Sequence, residues 1–278
     1  MTYKELSGQI QKKKSYLCVG LDSDINKIPK FLLDYEFPVF EFNKRIINAT
    51  HSFSVAYKLN TAFYETMGAA GWATMELTVN YIRENYPGLF LIADAKRGDI
   101  GNTSSMYATT FLRNMDFDAI TVAPYMGTDS VTPFLHHDGK WVILLALTSN
   151  EGAADFQLQK SGSAGKMLYE HVIQQSASWG DYNNMMYVVG ATRADAFKNI
   201  RKIIPNHFLL VPGVGAQGGS LKDVSSYGLN RDAGLLINAS RSIIYADGSD
   251  RFDKASAREA EKLQQEMSLI LKARRIIN

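Results

Sequence analysis

The chain has 278 residues, a formal net charge of +2 and one cysteine, Cys18. A near-neutral balance gives no electrostatic footprint for nucleic acid or a membrane surface, and a single cysteine excludes an intrachain disulfide. The N-terminus is polar, and no stretch approaches the roughly 20 apolar residues of a membrane span, so a cytoplasmic protein is expected.

In chain order, short and nearly continuous apolar runs recur, each followed by a turn and an amphipathic segment. They are Tyr16–Leu21, Ser54–Leu59, Leu89–Ala93, Ala119–Ala123, Trp141–Leu147, Met185–Val189, Phe208–Val211 and Gly234–Asn238. Runs without polar alternation suit strands buried on both faces, and intervening helices suit parallel crossovers. Eight such units without a linker or low-complexity tract predict one domain over residues 1–278: an α/β fold, a single (β/α)8 TIM barrel with an external C-terminal helix over Lys254–Ile277. A doubly wound open sheet is the alternative. Lys12, Lys13 and Lys14 read as a solvated helix end, and Cys18 as a packed core residue. Pro29–His51 reads as mostly helical, and Asn150–Gly165 as a mobile loop over the barrel mouth.

Chemistry in such a barrel gathers where the strands end. The third run leads into Asp94-Ala95-Lys96-Arg97-Gly98-Asp99, two carboxylates around an ammonium. Strand alternation aims Asp94 and Lys96 at one point, and charges ending a buried strand must be paired to be tolerated. Asp22 follows the first strand, Lys58 lies in the second and Ser149 follows the fifth. The seventh gives Pro212-Gly213-Val214-Gly215-Ala216-Gln217-Gly218-Gly219, and the eighth gives Asn238-Ala239-Ser240-Arg241-Ser242. Gly-rich turns with exposed N–H groups, beside a forked guanidinium, predict a phosphate site there. Gly213 to Gly218 also fits G-x-G-x-x-G, but the acid a dinucleotide site needs at the end of the next strand is missing: Asp232 precedes it. The histidines lack zinc-ligand spacing, so no metal site is expected.

The residues Asp94–Asp99, Pro212–Gly219, Arg241-Ser242-Ile243, Leu21-Asp22 and Tyr57-Lys58 resemble the orotidine 5'-phosphate decarboxylases, in particular their longer subgroup. The resemblance implies decarboxylation of orotidine 5'-phosphate to UMP in pyrimidine biosynthesis, without metal or cofactor. It further implies a homodimer whose sites are completed across the interface. In that scheme Lys58, Asp94 and Lys96 of one subunit join Asp99 of the other, and Lys96 protonates C6 of the pyrimidine. Asp22 and Lys58 contact the ribose, with Thr103 from the partner subunit. Ser149 meets the pyrimidine edge, with Thr148 as the alternative. Pro212, Gln217, Gly218, Ser240 and Arg241 form the phosphate end.

Two other readings are weighed. Mg²⁺-dependent sugar-phosphate enzymes of the same barrel, the 3-keto-L-gulonate 6-phosphate decarboxylases and hexulose-6-phosphate synthases, carry a Glu on the second strand, where Lys58 stands here. A non-catalytic phosphoribosyl-ligand sensor would have no need of Lys96 between its two aspartates.

Overall fold

A computed structural model describes residues 1–161, 165–214 and 218–278. The eight apolar runs form β1 (Leu17–Gly20), β2 (Ala56–Asn60), β3 (Phe90–Arg97) and β4 (Ala119–Val122), then β5 (Trp141–Leu147), β6 (Met185–Val189), β7 (Leu209–Pro212) and β8 (Leu235–Ala239). All pair in parallel with their neighbours, and β8 closes the barrel against β1, where Leu17 faces Ile237 and Val19 faces Ala239. This is the (β/α)8 barrel expected from the pattern, and the reason is visible in the burial. Every residue of β1, β4, β6 and β8 is buried, because the barrel interior covers one face of each strand and the surrounding helices cover the other.

Large rings fill the barrel where the strands begin. The Trp141 ring at the start of β5 lies edge-on to Phe90 of β3 and to Phe208, with centroids 6.1 and 6.4 Å away. This packing closes the N-terminal end, which leaves the C-terminal end for chemistry.

The flanking segments differ from expectation in instructive ways. The lysine run ends the helix Tyr3–Lys13, whose start is fixed by a reciprocal bond pair between Thr2 and Glu5. Lys12 and Lys14 are exposed, but Lys13 is not the solvated residue the sequence suggests: its Nζ donates to the carbonyls of His51 and Ser54, each at 2.7 Å. Those carbonyls lie where the chain enters β2, so the lysine serves as their donor. Pro29–His51 contains a short 3-10 turn, Lys30–Leu32, and the helix Pro38–Thr50. Within Asn150–Gly165 lie the short helix Ala153–Phe156 and the strand Lys160–Ser161, which pairs antiparallel with Lys166–Met167; residues 162–164 are outside the described set.

The C-terminal helix spans Phe252–Ala273 and packs on the outside of the barrel. Phe252 stacks on Phe42 at 5.0 Å between centroids, and Ser256 Oγ donates to the Ile243 carbonyl at 2.7 Å. Cys18 is fully buried in β1, and burial pushes its thiol up to about 12, consistent with a packed core residue rather than a nucleophile.

Candidate active site

The strand ends surround a cavity of about 380 Å³ at the C-terminal mouth. Asp22, Lys58, Asp94, Lys96, Ser149, Pro212, Ser240 and Arg241 all line it, so eight positions singled out from sequence meet in one space.

At its base is a chain of alternating charges. Lys58 Nζ lies 2.7 Å from Asp94 Oδ2 and 3.4 Å from Asp22 Oδ1. The other oxygen of Asp94 accepts from Lys96 Nζ at 2.6 Å, and the other oxygen of Asp22 accepts from Ser240 Oγ at 2.7 Å. Burial opposes the charged form of Lys58, but the carboxylates of Asp94 and Asp22 outweigh it and push its pKa up. Burial likewise works against ionised Asp94, yet the ammonium groups of Lys58 and Lys96 hold it well below the usual carboxylate range. Desolvated charges persist here because each has an opposite neighbour at hydrogen-bonding distance. Lys96 differs from Lys58 in one respect: its side chain is 49% exposed, against 5% for Lys58, so its ammonium faces the cavity.

The local backbone explains how two charges from one strand converge. β3 does not end at Ala93, as the apolar run suggests, but continues to Arg97. Against β4, Ala93 faces Ile120 and Arg97 faces Val122, so Asp94, Ala95 and Lys96 together oppose Thr121 alone. The bulge puts Lys96 at φ 48°, in the left-handed region that a non-glycine residue rarely enters. Outside the barrel wall, Arg97 pairs with Glu65 and donates from Nη1 to the Ala95 carbonyl at 3.1 Å. The approach of β8 to β1 depends on Gly20, since a Cβ there would fall 1.9 Å from Ser240 Oγ, the group that donates to Asp22.

On the opposite side, Pro212 ends β7 and Gly213 turns at φ 96°, while Gly213 O accepts from Gly219 N–H at 3.1 Å to close the loop base. Gly218, at φ 83°, is exposed on that loop, and Gln217 lies outside the described residues. Arg241 opens the short helix Arg241–Ile244 with its side chain at the cavity. At the end of β5, Thr148 and Ser149 both line the cavity, and the Thr148 hydroxyl donates to Asn150 Oδ1 at 2.6 Å and accepts from the Gln157 amide at 2.9 Å.

Three sequence-selected positions among the described residues do not line this cavity: Gly218, Asp99 and Thr103. Asp99 uses Oδ1 to accept the Ile100 N–H at 2.7 Å, and Thr103 lies on the next helix, Gly101–Ala108. Conversely, Asn60, Thr121 and Asn238 belong to the site or its wall and were not selected from sequence. Asn60 could have been found, because it follows Lys58 by two residues and shares its face of β2. Thr121 carried no signal, being an ordinary strand former inside an apolar run.

The family model for orotidine 5'-phosphate decarboxylase / HUMPS matches residues 15–256. A Phocaeicola vulgatus protein named orotidine 5'-phosphate decarboxylase is 60% identical over 271 residues, covering 98% of this chain and 99% of the relative. One of the same name from Porphyromonas gingivalis is 55% identical over 277 residues, covering all of both chains. Among solved structures, the OMP decarboxylase of Leishmania donovani superposes with a TM-score of 0.82 at 35% identity, covering 97% of this chain and 98% of that one. With a model match over most of its length and relatives more than half identical end to end, the chain belongs to the orotidine 5'-phosphate decarboxylase / HUMPS family.

Proposed function

We propose that the chain decarboxylates orotidine 5'-phosphate to UMP in pyrimidine biosynthesis, with no metal or organic cofactor. The observation that carries this reading is the Lys96 ammonium, held 2.6 Å from Asp94 while facing the cavity, with Arg241 on another part of the same wall. In the reaction the bond from C6 to the carboxylate breaks, CO2 leaves, and the electron pair stays on C6. That pair has no adjacent carbonyl to delocalise into, so the site must meet localised negative charge with a cation already in place. Lys96 is that cation and also the acid: it gives its proton to C6, and the neutral amine is then reprotonated from water.

Other residues take positions around this centre in the proposal. The ionised Asp94 orients the ammonium, Lys58 and Asp22 address the ribose hydroxyls, and Arg241, Gln217 and the backbone around Pro212 and Gly218 hold the phosphate. Ser149 meets the pyrimidine edge in this reading, with Thr148 as the alternative, since both line the cavity. Binding the phosphate, remote from C6, supplies energy that can be used to order the site for reaction.

The reading includes a homodimer in which Asp99 and Thr103 complete the partner's site. Supporting it, Ile100, Met106, Tyr125 and Met126 are 61, 59, 95 and 50% exposed beside those residues. The helices carrying Met106 and following Met126 are neighbours, joined by Ser104 Oγ donating to the Ser130 carbonyl at 2.9 Å. Large apolar side chains exposed on neighbouring elements suit a protein contact.

The Mg²⁺-dependent sister chemistry of this barrel is disfavoured by Lys58, whose buried ammonium between Asp22 and Asp94 neutralises both carboxylates and repels a divalent cation. The test is to incubate the purified protein with orotidine 5'-phosphate in excess EDTA and follow the loss of substrate absorbance. Conversion to UMP is expected; a folded protein that leaves the substrate intact, but acts on sugar phosphates once Mg²⁺ is added, would overturn the assignment.

A further inference from the structure

Lys96 has two unusual features, a left-handed backbone and a place in a bulge where strand pairing is interrupted. Regular alternation along β3 would turn its N–H toward β2, the side on which the Phe90 N–H bonds the Val55 carbonyl. Here it donates instead to a side chain, Thr121 Oγ1, at 2.9 Å. The same hydroxyl donates to Asp94 Oδ1 at 3.0 Å, the oxygen that also accepts the Lys96 ammonium. One hydroxyl thus uses its acceptor on the backbone of Lys96 and its single proton on the carboxylate that holds the Lys96 side chain.

We propose that Thr121 is a positioning residue for the decarboxylation, fixing both ends of Lys96 by bonding its backbone N–H and its carboxylate partner Asp94. This rests on the assignment of Lys96 as the acid. Thr121 is fully buried, so it acts through Asp94 and Lys96 and not by contact with substrate. It stands alone on β4 against three residues of β3, and without its hydroxyl the N–H of Lys96 loses its partner inside the barrel wall. The backbone then has reason to relax out of the left-handed region, carrying the ammonium away from its set point. Because a misplaced acid impairs the chemical step more than binding, the loss belongs to kcat.

The test pairs Thr121→Val, which keeps shape but removes the hydroxyl, with Thr121→Ser, which restores it. Thr121→Val is expected to lower kcat roughly 10- to 100-fold with KM within about threefold of wild type, and Thr121→Ser to stay within about threefold in both. Thr121→Ala replaces the valine variant if that protein does not fold. In a crystal structure of the hydroxyl-free variant, Lys96 should leave positive φ or Asp94 should rotate. Wild-type kcat in that variant, a loss confined to KM, a serine variant as impaired as the valine one, or an unchanged Lys96 and Asp94 in the crystal would each overturn the proposal. Failure of the wild-type protein to convert orotidine 5'-phosphate would instead overturn the functional reading, and the crystallographic comparison would still judge the structural role of Thr121.

Discussion

Lys58 of β2 and Asp94 of β3 form a nearly dry ion pair, Nζ to Oδ2 2.7 Å, with side chains only 5 and 11% exposed. The pair makes stability depend on pH in a definite way. Asp94 has a lowered pKa in the folded protein, so the unfolded chain binds the extra proton in acid; the contribution is present above pH about 4 and is lost as pH falls further. Lys58 has a raised pKa, so its contribution is present below pH about 10.5 and is lost as pH rises beyond that. Asp94→Asn leaves the buried ammonium with only the longer contact to Asp22 and should cost on the order of 3 kcal/mol at pH 7. Thermal melts of both proteins should show that gap shrinking as pH is lowered below 4. A gap unchanged down to pH 3 would mean the pair does not stabilise the fold.

Arg241 offers the forked cation of the proposed phosphate end. Arg241→Ala should lower kcat/KM for orotidine 5'-phosphate by roughly 10- to 100-fold, the range of a lost charge-assisted hydrogen bond. The unphosphorylated nucleoside serves as control: its far slower turnover should be nearly the same in wild type and variant. Equal losses for both substrates would place Arg241 at the reacting end instead.

Asp99 tests the proposed shared site. Chains carrying Lys96→Ala and chains carrying Asp99→Ala should each be inactive, and unfolding and refolding them together should restore activity. In a mixed dimer one site carries both substitutions and the other carries neither, so statistical mixing regenerates roughly a quarter of wild-type activity. Mixed dimers isolated by two affinity tags but lacking activity would show that Asp99 acts within its own subunit.

The eight strands could be read from sequence because burial on both faces writes a continuous apolar run, and a barrel has eight of them. The acid and base positions followed from the same runs, since a charge at the end of a buried strand must find an opposite charge, as Lys58 and Asp94 do on adjacent strands. Local exceptions were hidden. Nothing in the letters of Ala93 to Arg97 marks a bulge, because Lys96 at φ 48° is held by a tertiary contact to Thr121 and not by its own preference. Thr121 itself is disguised as a β-former, and Lys13 as one of three equivalent surface lysines, until the fold brings the His51 and Ser54 carbonyls to it. The short pairing of Lys160–Ser161 with Lys166–Met167 has too few residues to show a period.

The central claim is that the Lys96 ammonium stabilises the developing C6 carbanion and protonates it. The most direct measurement is kcat of Lys96→Ala for orotidine 5'-phosphate, made beside a binding measurement with UMP. Removing both the cation and the acid should lower kcat by at least about 10³-fold while the folded variant still binds UMP. A variant that keeps more than a tenth of wild-type turnover would contradict the account and require another source for the proton.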